Sequence, residues 1–447
     1  MSPPASSLRT HCLSPSRTRP VDRAIGPAAY ARMFPELPAF EADEDFLLAI
    51  GRAGGICDCG DERDTAASLG KTAAGWPIFG QFVAHDITAD RSALQRHVDP
   101  RQLKNARAPQ LNLECLYGDG PVGQPFLYQR NDPAKFLLAP NGSDVPRNSE
   151  GIAIVGDPRN DSHMLMTQLH RAMLTVHNGF VDEVRGRGVP EHQVFDVAVR
   201  ETRWHYQSIV LREFLPSLVG QSLVDEVSSE GPRWFRPSGD VFIPLEFADA
   251  AYRYGHSQIR HRYQLNQRTE AVPIFPDLLG FRPVPERLSV DWSLFFDRAG
   301  AQTAQRAKTM DGKLVGSLIQ LPVAITGECE IDEYHSLAVR DLQRGQGVGL
   351  PSGEVVARHL GVKPLTAEEV GLRAVGWEGD TPLWYYILRE AAVRGSGDRL
   401  GPVGGRIVAE VVITMLDRDT TSVRSADRSW QPRGSLIDLL SCVSPVT

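Results

Sequence analysis

Phe79-Gly80-Gln81-Phe82-Val83-Ala84-His85-Asp86 is the stretch whose reading decides the fold. Gln81 and His85 stand four residues apart, so a helix sets them on one face, while Phe79, Phe82 and Val83 cover neighbouring faces able to pack inward. An amide and an imidazole then look into a common cavity. Asp86 follows at once and turns away from that face, beside the histidine without being its obvious hydrogen-bond partner. Burying such groups is unfavourable unless each is satisfied or used.

Before this helix, Phe46, Leu47, Leu48 and Ile50 form a short amphipathic run, followed by a glycine- and aspartate-rich loop over 51–64. After it comes RAPQLNLECLYGDGPVG. Ala108, Gln110, Asn112 and Glu114 alternate with Pro109, Leu111 and Leu113, so an extended chain turns all four to one side. Asn112 and Glu114 offer side-chain oxygens, Ala108 and Gln110 offer main-chain carbonyls, and Asp86 adds a carboxylate. This is a mixed oxygen set of the kind calcium takes, although the same alternation also reads as a solvated polar edge.

A second informative segment is GDPRND, 156–161, where Asp157 before Pro158 is a good helix start. The helix that follows repeats Leu165, Leu169, Met173, Val176, Phe180 and Val184 on one face. Arg159 stands at its beginning, where the helix dipole disfavours a cation, which hints at a task. The third segment, FADAAYRYGHSQIRHRYQLN, carries His256 behind the apolar Phe247, Ala251 and Tyr254 and reads as a buried helix. Residues 195–219 and the last third of the chain read as further helix, and strands are few. The fold class is mainly α.

Composition narrows the field. The 447 residues are 42% hydrophobic and 23% charged, ordinary for a globular chain. Net charge is −7, from 48 basic and 55 acidic residues, which supplies no basic stripe for a nucleic-acid backbone. Six scattered cysteines without a CxxC pair fit a reducing compartment, with Cys57 and Cys59 as free surface thiols. Residues 1–24, rich in Ser, Pro and Arg, read as a disordered tail lacking the apolar core of a signal peptide, and 25–440 as one domain. No run of 18 apolar residues predicts a membrane span, and the expected location is cytoplasmic.

Taken together, GQFVAHD, GDPRND with the helix ending in His177-Asn178, and YRYGH resemble the animal-type haem peroxidase superfamily. FPELPAFEADEDFLLAIGR, RWHYQ, GLPSG and GPVGGRIVAE are most similar to its bacterial members, and the resemblance spans about residues 30–430. It implies a helical haem peroxidase domain with very little strand. It also implies a haem b cofactor, hydrogen peroxide as substrate and a small-molecule electron donor.

Residue by residue, His85 matches the distal histidine that moves the peroxide proton. Arg159 matches the distal arginine that stabilises charge on the departing oxygen, and Gln81 the distal glutamine. His256 matches the axial iron ligand. Arg253 occupies the position where cyclooxygenases carry their radical tyrosine. Asp341 falls where mammalian members have an asparagine bonded to the axial imidazole, and it implies a less oxidising iron. Ala84 and Ser162 replace the carboxylates that esterify haem in mammalian members, so the haem is expected to be noncovalent. The family's calcium site maps onto Asp86, Ala108, Gln110, Asn112 and Glu114. Two alternatives stay open: a haem-dependent fatty-acid dioxygenase, with Tyr252 and Tyr254 flanking Arg253, and a non-catalytic haem-binding protein.

Overall fold

A single helical face organises the interior: Leu165, Leu169, Met173, Val176, Phe180 and Val184 all point into the core of the helix Met164–Gly186. The computed structural model describes residues 30–441 apart from 61–67, 90–104, 141, 299, 301–302 and 427–428. The expected tail at 1–24, with Cys12 and Cys442, lies outside the described residues.

Among the described residues the strands are short and form three two-stranded pairs. One pair matters for the site. Tyr30–Ala31 runs parallel to Ile243–Pro244, and the buried Glu246 carboxylate accepts from Arg32 Nε at 2.9 Å, Met33 N at 2.7 Å and Phe34 N at 3.2 Å. The start of the described chain is thereby fastened to the segment leading into His256. None of the described helices is long and apolar enough to cross a membrane.

The Gln81 and His85 side chains are carried by the helix Gly75–Ile87, as the spacing predicts. Phe79 and Phe82 are wholly buried, and Phe79 meets the Phe214 ring edge-on with centroids 5.5 Å apart. Each buried ring contributes about 1.5–3 kcal/mol. Gly80 permits a close approach here: a Cβ would lie 2.9 Å from the Tyr254 hydroxyl and 3.2 Å from Phe214 Cζ. A helix over 195–219 is also found, but in pieces: Glu191–Ile209, a π-helical turn Val210–Phe214 and Leu215–Val219. The wide turn carries Phe214 against the 75–87 helix, a local register change of the type π-bulges supply.

Four expectations are corrected. The chain around His256 is not one helix but one-turn pieces, Leu245–Ala248, Ala251–Tyr254 and Gly255–Gln258. The 108–114 segment is not extended, because Leu113 adopts the left-handed conformation (φ 60°) and Glu114 opens a short helix. Asp157 caps a 3-10 turn, Pro158–Asp161, while the long helix begins at Met164, capped by His163, whose ring nitrogen accepts from Met166 N. Cys57 is buried, not a surface thiol, and Cys59 is half-buried.

Candidate active site

One cavity is lined by Gln81, His85, Arg159, Arg253 and His256 together, with Ala84 and Ser162 also in its wall. The remaining lining is largely apolar and includes Phe247, Ile259, Ile274, Phe275 and Leu318. Segments far apart in sequence converge because the 75–87 helix packs against both the long 164–186 helix and the Gly255–Gln258 turn.

On the first wall, His85 is 5% exposed and its Nδ1 lies 2.7 Å from Asn160 Oδ1. Burial, then the neighbouring Arg159 cation, lowers its pKa to about 3, so the imidazole is neutral at ordinary pH. Arg159 is held through Nε and Nη2 by the Asp157 carboxylate, and Nη2 also donates to the carbonyls of His85 at 2.9 Å and Thr88 at 2.7 Å. Its Nη1 is buried with no partner among the described residues. Burial alone would raise Asp157, but Arg159 and Arg107 hold its carboxyl well below the usual range. Gln81 Oε1 lies 2.9 Å from His163 Nε2. Because His163 Nδ1 accepts from Met166 N, Nε2 carries the proton and donates to Gln81, which leaves the amide N–H groups of Gln81 available to the cavity.

On the second wall, His256 is about a quarter exposed, and its Nδ1 lies 2.6 Å from Asp341 Oδ2. The other oxygen of that carboxylate accepts from Arg253 Nη1 at 2.8 Å, and Arg253 Nη2 pairs with Asp249 at 2.7 Å. Asp341 rides on the helix Leu337–Gly347, capped by Ser336, whose hydroxyl donates to Gly51 O. With Nδ1 engaged, Nε2 is the nitrogen left to a ligand.

These residues fit a haem: an imidazole with a free ring nitrogen, a partnerless buried guanidinium nitrogen, and an apolar bed between. Neither Ala84 nor Ser162 carries a carboxylate for an ester. In the expected calcium set, Asp86 Oδ1 is buried with no hydrogen-bond partner among the described residues, while most of the other oxygens already accept from protein groups. Glu114 accepts from Arg107 Nη1 at 3.0 Å and Ala108 N at 3.2 Å, Asn112 Oδ1 accepts from Glu114 N at 2.9 Å, and Ala108 O accepts from Gln110 N at 2.8 Å. Asp86 Oδ2 accepts from Leu113 N, and burial pushes its carboxyl up to about 7. Gln110, Asn112 and Glu114 line a separate polar cleft. Among the described residues no cluster of three or more His, Cys, Asp or Glu side chains could hold a metal. Arg107, bridging Glu114 and Asp157 at 3.0 and 2.6 Å, supplies the local positive charge.

Sequence reasoning missed Asn160, His163 and His170, which share the network behind His85 and Gln81. His177 and Asn178 are structural: His177 Nε2 meets Ala134 O, and Asn178 bonds both backbone groups of Phe136. Arg262 is exposed and donates to Ala271 O.

The animal haem peroxidase family profile matches residues 98–370. Heme peroxidase 2 of Caenorhabditis elegans is 29% identical over 112 residues, 24% of this chain, and the match spans 16% of that relative's length. Peroxidase A from Dictyostelium discoideum superposes with a TM-score of 0.65 at 14% identity, over 94% of this chain and 93% of that one. The fatty acid alpha-dioxygenase of Oryza sativa gives 0.63 at 14% identity over 86% and 74%. That of Arabidopsis thaliana gives 0.59 at 12% over 98% and 82%. At such identities the structural likenesses establish the fold alone. With the profile covering more than half of the chain, this protein belongs to the animal haem peroxidase family.

Proposed function

We propose that the cavity holds a haem b without covalent attachment and reduces hydrogen peroxide while oxidising a small electron donor. The observation that carries this reading is the pairing of two imidazoles in one cavity, each with Nδ1 engaged behind it and one beside an unpartnered guanidinium nitrogen. When bound, haem supplies the iron that takes electrons from the donor and delivers them to the O–O bond.

The chain's own residues supply the rest. His256 would hold the iron through Nε2 while Asp341 pulls on its Nδ1–H. His85, neutral, takes a proton from peroxide at Nε2 and returns it to the leaving oxygen. Arg159 Nη1 is positioned to stabilise negative charge on that oxygen, and the Gln81 N–H groups orient water or a small anion. Lacking ester links, the site favours bromide, iodide, thiocyanate or phenols over chloride as donors.

The deciding experiment is an absorption spectrum of the haem-reconstituted chain, followed by peroxide-dependent oxidation of guaiacol or iodide. Acid-acetone is expected to extract the haem completely. A chain that stays colourless after haem addition overturns the reading.

The Asp341 carboxylate also makes a quantitative prediction. A charge-assisted hydrogen bond contributes about 1.5–3 kcal/mol, and 59 mV corresponds to a tenfold change for one electron. Only the part of that energy that differs between the two oxidation states moves the potential, so Asp341→Asn is expected to raise the Fe(III)/Fe(II) potential by at most roughly 60–130 mV, read by spectroelectrochemistry. Arg253 shares the carboxylate and keeps the shift within that range.

A second reading, fatty-acid dioxygenation, has the fold likeness and the cavity-lining Tyr252 and Tyr254 in its favour. Arg253, pinned between two carboxylates where a radical tyrosine would be needed, weighs against it. Oxygen uptake with linoleate in the absence of peroxide would favour it.

A further inference from the structure

Behind His85 lies a buried chain of polar groups with no assigned role. Asn160 is wholly buried. Its Oδ1 lies 2.7 Å from His85 Nδ1, and its Nδ2 lies 2.9 Å from Nδ1 of His170, also wholly buried. The same amide hydrogen bonds the buried Cys115 side chain. The NH2 end of Asn160 therefore faces two acceptors, an imidazole nitrogen and a sulfur, and its carbonyl end faces His85.

We propose that Asn160 is a positioning residue that fixes the tautomer of His85, holding its proton on Nδ1 so that the Nε2 lone pair faces the cavity, with His170 keeping the amide in that orientation. This rests on the peroxidase reading for its purpose, but not for its geometry.

The two ring nitrogens of a neutral imidazole are inequivalent, and the bond made by one decides which carries the proton. A carbonyl oxygen opposite Nδ1 can only accept, so Nδ1 must donate and Nε2 is left unprotonated. The same contact serves the ring after it has gained a proton, because an imidazolium still needs an acceptor at Nδ1. A reversed amide would place a donor against Nδ1. That would drive the proton to Nε2 and present the cavity with N–H, which cannot take a proton from a substrate. With His170 in its Nε2–H form its Nδ1 is an acceptor, and turning the amide would then take the NH2 away from both His170 Nδ1 and Cys115. His170 Nε2 has no partner among the described residues. The ring is thus held from the Asn160 side and by an edge contact with Phe82, centroids 6.5 Å apart. The Arg159 and Asp157 charges and His163 surround His85 as well, but the Nδ1 contact among the described residues is with Asn160.

The test is histidine-selective 15N labelling of the full chain, with the His85 signals identified by their loss in His85→Gln. Wild-type protein is expected to show His85 protonated on Nδ1. Asn160→Leu is expected to show at least half of its His85 protonated on Nε2. Asn160→Asp, whose carboxylate still accepts, is expected to restore the Nδ1–H form. In the haem-loaded protein, kcat/KM for peroxide should fall about 10–100-fold in Asn160→Leu and stay within about threefold in Asn160→Asp.

A wild-type His85 protonated on Nε2 overturns the proposal without any variant, and so does an unchanged tautomer in Asn160→Leu. A tautomer that follows residue 160 in a chain that turns over no peroxide supports this inference and sinks the peroxidase reading instead.

Discussion

His85→Ala lowers peroxide turnover by about 10²–10⁴-fold, the range for removing a positioned general base, while the haem absorption band stays in place. The two halves of this outcome come from different walls of the cavity. On the proposed reading His85 meets peroxide, whereas His256, which would hold the iron, is secured from its own side by Asp341 at 2.6 Å and is untouched by the substitution. The pH dependence follows from the same side chain. Burial and the Arg159 cation lower its pKa from 6.5 to about 3. Only the neutral ring is a base, so activity persists as pH falls through 6.5 and is lost only as pH approaches about 3. Stopped-flow measurement of the first peroxide-dependent spectral change, in wild type and variant across pH, checks both. An acid limb near 6.5 in the wild type would show that the pKa of His85 is not lowered, and a variant that turns over peroxide as fast as the wild type would remove His85 from the base role.

Arg159→Leu is expected to act on two quantities at once. Turnover falls about 10²–10³-fold, since a preorganised donor for developing negative charge is gone. Stability falls by about 3–5 kcal/mol, because breaking a buried ion pair strands its partner. Asp157 would keep the Arg107 contact at 2.6 Å and the cap bond from the backbone N–H of residue 159 at 2.9 Å, and the carbonyls of His85 and Thr88 would lose their shared donor. Arg159→Lys separates the effects: it retains charge and some of the pairing but not the planar fork, so stability recovers more than turnover. Denaturant titration and steady-state kinetics on both variants read the split. Equal recovery of the two would mean that Arg159 serves the fold and not the chemistry.

How far the site could be read from sequence depended on whether its signals were local. The Gln81–His85 spacing is a helical period, and the structure sets both side chains in one cavity. Arg159 and His256 lie in short segments distinctive enough to stand out, and they line the same cavity. Asn160 was hidden because its meaning lies in a partner 75 positions away, with Arg159 next to it drawing the attention. His163 was hidden because histidine is an unusual helix cap, so the start of the long helix was placed at Asp157. The alternation over 108–114 did set Gln110, Asn112 and Glu114 toward one cleft, but the extended chain it implied ends at Leu113, which is in the left-handed region and leads into a short helix. Around His256 the apolar spacing was right, but the Ala250 and Asp249 backbone leaves the helical region between one-turn pieces. Tertiary contacts, not local propensity, hold that segment in place.

The Glu246 carboxylate, which gathers three donors from residues 32–34, joins parts of the polypeptide 213 positions apart. On a ribosome working at about 5–20 residues per second, the early segment emerges about 10–40 s before its acceptor exists. During that interval the early segment waits unpaired, and because His256 also needs Asp341 behind it, the pocket is completed only after most of the chain has been synthesised.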